Sequence, residues 1–146
     1  MRLTLRTNLA MRVLMCAAVN PGRLVRKADI AEACNASTNH LGVVINQLAQ
    51  AGYLTTVRGR TGGLRLARPP GEIRVGAVVR ELEGNLGGTE CFASADGSCP
   101  LTLCCRLRGI LSKALEAFLR ELDQVTLAEL VDDNTALEAL LNLEPA

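Results

Sequence analysis

Four of the six cysteines in this chain fall within fifteen positions, a density typical of metal-binding or redox-active thiols. The four are Cys91, Cys99, Cys104 and Cys105. Thiolate sulfur binds iron–sulfur clusters and zinc, and a glycine-rich segment like the one around these residues can wrap an inorganic cluster. The spacing lacks the paired C-x2-C of a zinc ribbon, which counts against zinc. On the residues alone, zinc, redox thiols and inert cysteines remain open alternatives.

Because no export signal is predicted, we expect a reduced compartment. Cys16 and Cys34 lie on apolar faces of predicted helices, where we expect buried structural thiols. Adjacent cysteines rarely bind one cluster together, so one of Cys104 and Cys105 is expected to be a bystander. No signal peptide is predicted, and no apolar run approaches the roughly 18 residues that span a bilayer. We therefore expect a soluble, cytoplasmic protein without a membrane partner and without disulfides.

The elements that must position these cysteines are predicted to be mostly helical. Aromatic residues make up 2% of the chain and hydrophobic residues 49%, so the core consists of aliphatic side chains. Helical spacing predicts a first helix capped by Thr7, a short second helix at 28–33 and a third that ends at Ala51-Gly52. Two strands, 53–57 and 64–67, flank a glycine-rich turn. Three helices followed by a hairpin predict a winged helix-turn-helix.

We predict four regions along the chain. Residues 1–83 form a winged-helix DNA-binding domain, with the helix-turn-helix at about 28–51 and the wing at about 53–67. Residues 84–105 form a cysteine loop. Residues 106–133 form a long dimerisation helix and a short helix that starts at Thr126, and 134–146 form a C-terminal tail. The stripe along 107–122 is too apolar to stay exposed, which favours a homodimer in which two such helices cross.

Charge and side-chain chemistry predict that the first half binds double-stranded DNA. Residues 1–80 carry twelve basic and three acidic residues, whereas 81–146 carry four basic and twelve acidic ones. Short polar side chains at the start of the third helix suit base edges in the major groove, and arginines at the wing tip suit the minor groove. These residues are Ser37, Thr38, Asn39 and His40 in the helix and Arg58 and Arg60 in the wing. The alternatives are a helix cap and a solvated turn.

No catalytic set stands out, because the chain has one histidine and no Ser/His/Asp arrangement. We therefore do not expect an enzyme. A competing hypothesis from another class is a metal carrier or zinc protein that does not bind DNA.

Several segments resemble the Rrf-type family of winged-helix iron–sulfur transcriptional regulators, and the resemblance runs nearly end to end. They include 45–48 in the third helix, the wing at 57–66 with its Arg-Gly-Arg-x-Gly-Gly core, and the cysteine-rich stretch before 106. Segments 78–83 and 119–131 are most similar to the nitric-oxide-sensing repressors of the family. The resemblance implies a homodimeric repressor whose operator binding is controlled by an iron–sulfur cluster, 4Fe–4S in preference to 2Fe–2S, that reacts with nitric oxide.

The resemblance also implies a ligand set. The family's three loop cysteines correspond to Cys91, Cys99 and Cys105, which leaves Cys104 as the extra thiol. In nitric-oxide-sensing members, a carboxylate near the start of the first helix of the other subunit can complete the site. This chain has Asn8 at that position, and a neutral amide is a poor iron ligand. An iron-responsive or cluster-status-responsive regulator of the same fold is therefore the alternative.

Overall fold

The computed structural model describes residues 3–84, 86, 99–101 and 104–143, and these form a mostly helical protein with one hairpin. No helix in these ranges is long and apolar enough to cross a membrane. The elements, in chain order, are α1 (Leu5–Val19), α2 (Lys27–Ala33), α3 (Thr38–Gln50), β1 (Leu54–Val57), β2 (Gly63–Leu66), a short 3-10 helix (Pro70–Glu72), α4 (Val75–Glu83), α5 (Arg106–Gln124), α6 (Leu127–Val131) and α7 (Thr135–Leu141).

Helix α1 is the centre of the core and packs against α3, α4, α6 and β2. Its N-cap is Thr4, whose hydroxyl accepts a hydrogen bond from the Thr7 amide at 3.4 Å. The predicted cap at Thr7 is wrong, because Thr7 is fully buried inside the helix. The extended backbone of Thr4 allows the helix to begin one turn earlier.

The wing is a two-stranded antiparallel hairpin in which Leu54 pairs with Leu66 and Val57 with Gly63. It is attached to the rest of the domain through Val25, just before α2. Val25 and Leu64 exchange two backbone hydrogen bonds, each 2.8 Å long. This bridge makes the hairpin part of the helix-turn-helix unit, and the predicted winged helix is confirmed.

Helix α5 packs against α4 and carries an ion pair to it. Arg80 donates to both carboxylate oxygens of Asp123 at 2.5 Å. None of the side chains of α5, all of which the structure describes, is buried. The predicted apolar stripe is most open at its start, where Leu107 is 56% and Ile110 63% exposed.

The chain after α5 returns to the core of the winged helix. Thr126 starts α6 with a capping box formed with Glu129, as its position in the sequence predicts, and Leu127 is completely buried. A further helix, α7, lies in the segment 134–146 that the sequence analysis assigned to a tail. Its Leu141 is 6% exposed within the same core, because Leu137 and Leu141 lie one helical turn apart on one face. The core of the DNA-binding unit is thus completed from outside residues 1–83.

Candidate nucleic-acid interface and cysteine segment

The four polar residues predicted to face DNA all lie exposed at the start of α3. Leu41, Val44, Ile45 and Leu48 are buried on the other side of this helix and fix its orientation. Ser37 occupies the N-cap position, but among the described residues its side chain makes no capping hydrogen bond. The exposed Ser37 hydroxyl is therefore not used as a cap of α3.

The wing presents both of its predicted arginines at the exposed tip of the hairpin. The turn between Arg58 and Arg60 requires a glycine, since Gly59 has φ +114°. Gly62 is also required, because a Cβ there would collide with the carbonyl oxygen of Val57. Strand β1 packs against α3 and thereby links the wing to the helix that carries the polar quartet.

Several basic side chains of the first half serve the fold instead of a ligand. Arg12 donates to the carbonyl of Cys34 at 3.0 Å, and Arg74 donates to that of Gln124 at 3.1 Å. Arg68 donates to the carbonyl of Gly52 at 3.1 Å and lies over the Tyr53 ring at 4.8 Å. The other exposed basic side chains of the described helix-turn-helix and wing are Arg26, Lys27, Arg58, Arg60 and Arg65.

Lys27 is a candidate contact that the sequence analysis missed. It begins α2, yet its ammonium lies over α3, where a Cβ added to Gly42 would be 3.7 Å from Lys27 Nζ. Glycine destabilises the interior of a helix, so a glycine at position 42 of the sequence could have indicated that another group lies close to this face of α3. The structure thus adds a cation beside the exposed start of α3.

The cysteine segment is described only in part. Cys91 lies outside the described residues, and within them no group of three potential metal ligands is found. Cys99 and Cys105 are half-buried, and Cys105 is the N-cap of α5. Cys104 is exposed, and its thiol points to the carbonyl oxygen of Leu101 at 3.6 Å. The two adjacent cysteines therefore have different environments.

Cys16 and Cys34, the two cysteines outside the cysteine segment, lie in the helical part of the protein. Cys16 is completely buried, which confirms its prediction, and burial raises the pKa of its thiol to about 12. Cys34 is half-buried at the C-cap of α2, where burial again raises the thiol pKa. Neither thiol is poised to ionise near neutral pH.

Asn8 lies near the start of α1, and Glu83 at the end of α4 is hydrogen-bonded to Thr4, the N-cap of α1. Asn8 is exposed in the first turns of α1. Glu83 ends α4, and its Oε1 accepts hydrogen bonds from the Thr4 amide at 2.7 Å and the Thr4 hydroxyl at 3.1 Å. Partial burial raises the pKa of this carboxyl, but hydrogen bonds from Thr7 and Thr4 outweigh it and hold the pKa below its usual value. An ionised carboxylate thus ties α1 to α4.

A helix-turn-helix, a hairpin wing tipped with arginines and a long amphipathic helix behind them define a winged-helix DNA-binding protein. A family model described as an iron-dependent transcriptional regulator, Rrf2, matches residues 3–133. The chain belongs to the Rrf2 family. It is a DNA-binding transcriptional repressor, as the sequence predicts, and this family is a class of regulators and not of enzymes.

Relatives over the full length support this assignment. The chain is 49% identical over 142 residues to the HTH-type transcriptional regulator NsrR of Geobacillus kaustophilus, covering 97% of each chain. It is 42% identical over 146 residues to NsrR of Halalkalibacterium halodurans, covering 99% of this chain and 100% of that one. The solved structure of T. potens IscR is similar with a TM-score of 0.69 and 28% identity, covering 100% of this chain and 94% of that one.

Proposed function

We propose that this regulator represses transcription in the cytoplasm as a homodimer, and that an iron–sulfur cluster reacting with nitric oxide controls its operator binding. The observation that carries the proposal is the continuity of the chain around its cysteines. The cysteine segment leaves α4 of the DNA-binding unit after Glu83 and enters α5 at Cys105. A change in this segment therefore acts on both helices.

The exposed start of α3 is proposed to read base edges in the major groove through Ser37, Thr38, Asn39 and His40. Their exposure and the uncommitted Ser37 hydroxyl support this assignment. Arg58 and Arg60 are proposed to enter the minor groove, where the glycines of the turn allow close approach. Lys27 is proposed to neutralise a phosphate next to α3.

The homodimer is proposed to form through α5. Leu107 and Ile110 are more than half exposed, as is Leu101 just before the helix. Two copies of α5 that cross would remove these side chains from water and place two copies of α3 against a symmetric operator.

The donor set fits an iron–sulfur cluster. Cys99 and Cys105 offer half-buried thiols, Cys105 lies at a helix N-terminus where negative charge is favoured, and Cys91 is proposed as the third ligand. Cys104 is exposed and is proposed to be a bystander. When bound, the cluster, which we propose is 4Fe–4S and not 2Fe–2S, supplies iron that reacts with nitric oxide. The chain itself supplies the thiol ligands and connects them to α4, which ends at Glu83, and to α5, which begins after Cys105.

Nitric oxide is proposed as the signal because the chain is 42–49% identical over nearly its full length to NsrR proteins. Asn8 favours a second candidate. The amide is neutral and exposed, so it cannot supply the carboxylate that nitric-oxide-sensing members can donate to the partner's cluster. Control by iron supply, with the same ligands and the same DNA contacts, is this second candidate.

An anaerobic binding series tests the proposal with a labelled duplex that the wild-type protein selects from a random pool. We expect the cluster-loaded form to bind more tightly than the cluster-free form and nitric oxide to release the loaded form. Cys105→Ser should abolish iron binding, and the adjacent Cys104→Ser should not. Equal affinity of loaded and cluster-free protein for the duplex would refute control by the cluster. Release by iron chelation but not by nitric oxide would support the second candidate.

The DNA contacts are tested separately with charge variants. The Arg58→Ala/Arg60→Ala pair should weaken duplex binding about 10- to 100-fold and lower its salt dependence. Arg120→Ala removes an exposed arginine near the other end of α5, away from Leu107 and Ile110, and is the matched control. An unchanged affinity in the double variant would exclude the wing from the interface.

A further inference from the structure

The buried amide of Asn20 forms three hydrogen bonds, two of which attach the segment around helix α7 to the end of α1. This residue is 3% exposed and is the C-cap of α1. Its Nδ2 donates to the carbonyl of Cys16 at 2.8 Å and to that of Leu141 at 2.7 Å, while its Oδ1 accepts from the Leu143 amide at 3.1 Å. Buried polar groups without partners are costly, so loss of this side chain leaves the docking site unsatisfied.

Apolar contacts continue the attachment from α1 to α2. Leu141 is buried in the core, and Leu137 and Leu143 pack against it. Helix α7 contacts both α1 and α2. Leu143 also lines a shallow cavity of about 280 Å³ together with Asp29 and Ala33 of α2. The segment 135–143 therefore joins the end of α1 to the first helix of the helix-turn-helix.

Helix α2 buries few of its own side chains, and hydrogen bonds of Val25 to Leu64 and of Arg12 to the Cys34 carbonyl hold the residues next to its two ends. It is seven residues long, and Ile30 is its one buried residue. It is joined to α1 by the turn that follows Asn20, and it packs on α3. A group that fixes α2 relative to α1 therefore also fixes the angle of the helix that carries the polar quartet.

We propose that residues 135–143 form a C-terminal strap that positions the DNA-reading helices, and that Asn20 is the positioning residue that holds the strap. This inference rests on the proposed binding of the operator by α3 and the wing. It assigns the strap no contact with DNA and no part in holding the cluster.

Cys16 provides a native reporter of strap docking. It is completely buried, and its Sγ lies 4.0 Å from the carbonyl oxygen of Leu141. When the strap detaches, iodoacetamide can reach this thiol, and peptide mass spectrometry distinguishes it from the other cysteines. The same samples are then titrated with the labelled duplex, so that docking and DNA affinity are measured together.

Two variants weaken the strap by different routes. Asn20→Ala removes all three hydrogen bonds. Leu143→Pro removes the amide that donates to Asn20, and Asn142 before it, at φ −72° and ψ 102°, lies outside the α region that proline disfavours in the preceding residue. Leu143→Ala lacks the same side chain but keeps the amide. Leu140→Ala alters a residue of α7 that is 73% exposed and is the control on the same helix.

We expect Asn20→Ala to speed Cys16 alkylation about tenfold or more and to weaken duplex binding about three- to tenfold. Compared with Leu143→Ala, Leu143→Pro should also show faster Cys16 alkylation and weaker duplex binding. Leu140→Ala should leave the alkylation rate and the duplex affinity unchanged. If Asn20→Ala does not fold by circular dichroism, Leu143→Pro carries the test. Faster alkylation with wild-type affinity would overturn the proposal, as would unchanged alkylation in Leu143→Pro relative to Leu143→Ala. If the proposed DNA contacts were wrong, Arg58→Ala/Arg60→Ala would leave duplex affinity unchanged. This result distinguishes failure of the proposed function from failure of the strap proposal.

Discussion

One methyl group at Gly63 is expected to displace the wing without removing either wing arginine. A Cβ at this position would lie 2.7 Å from the Val25 carbonyl oxygen and 3.1 Å from Leu24 Cβ. Ordinary contact begins at 3.4 Å, so the hairpin and the segment before α2 must separate by about 0.7 Å. The two backbone hydrogen bonds between Val25 and Leu64 lie next to this contact and would be broken or lengthened.

The cost follows from those two bonds. A backbone hydrogen bond contributes about 1 kcal/mol net, so losing both lowers the free energy of unfolding by about 2 kcal/mol. For a chain of this length, that corresponds to a fall in Tm of about 4–8 °C. The arginines keep their charge but lose their position, and we expect duplex binding to weaken about tenfold.

Thermal unfolding by circular dichroism and fluorescence anisotropy with the labelled duplex measure the two effects of Gly63→Ala. Gly71→Ala is the matched control, since a Cβ there meets nothing within 4 Å. A wild-type Tm in Gly63→Ala would refute the close approach of the wing to Val25. A lowered Tm with wild-type affinity would refute the idea that the bridge positions the wing for DNA.

Three further predictions concern the packing behind the DNA-reading elements. The pKa of Glu83 is lower in the folded state than in the unfolded state. Its contribution to stability is therefore present above the unfolded-state pKa and is lost as pH falls through the folded-state pKa. In denaturant titrations from pH 6 to pH 3, the free energy of unfolding of Glu83→Gln should depend less on pH than that of the wild type. Leu127→Ala should lower the free energy of unfolding by about 2–5 kcal/mol, whereas Leu140→Ala, at an exposed site, should change it by less than about 0.5 kcal/mol in the same urea titration. Gly76→Ala should lower the Tm, because an added Cβ would lie 2.9 Å from the backbone nitrogen of Asp123 and would push α4 and α5 apart; an unchanged Tm would show that these helices are not in close contact.

The sequence predicted helices and strands well where the residue pattern within the element is enough to determine it. The spacing of apolar residues predicted the short second helix at 28–33, which the structure has at Lys27–Ala33, and the glycine-rich turn predicted the wing. The cap of α1 was misplaced because Thr4 and Thr7 are both good caps by composition. Only the burial of Thr7 against the core distinguishes them, and burial is a property of the fold.

The candidate site was predictable in part for the same reason. The polar quartet and the wing arginines are contiguous in sequence and were found from residue type and position. Lys27 was missed because its approach to Gly42 joins two helices, and no local pattern of charge reveals it. The role of Asn20 was equally hidden, since its partners Leu141 and Leu143 are more than 120 positions away.

The return of the chain after α5 explains how a segment outside the winged helix can act on it. Leu127 donates its backbone amide to the carbonyl of Ile73 at 2.8 Å, and Val75 donates to that of Val125 at 3.0 Å. These bonds fix the end of α5 next to the start of α4, and Glu83 fixes the end of α4 to α1. Helices α4 and α5, which precede and follow the segment 84–105, thus both rest on one core. A rearrangement between these helices would shift either the exposed start of α5 or the contacts of α4 with α1. Because α1 also packs against α3, a shift of the second kind would reach the helix that carries the polar quartet.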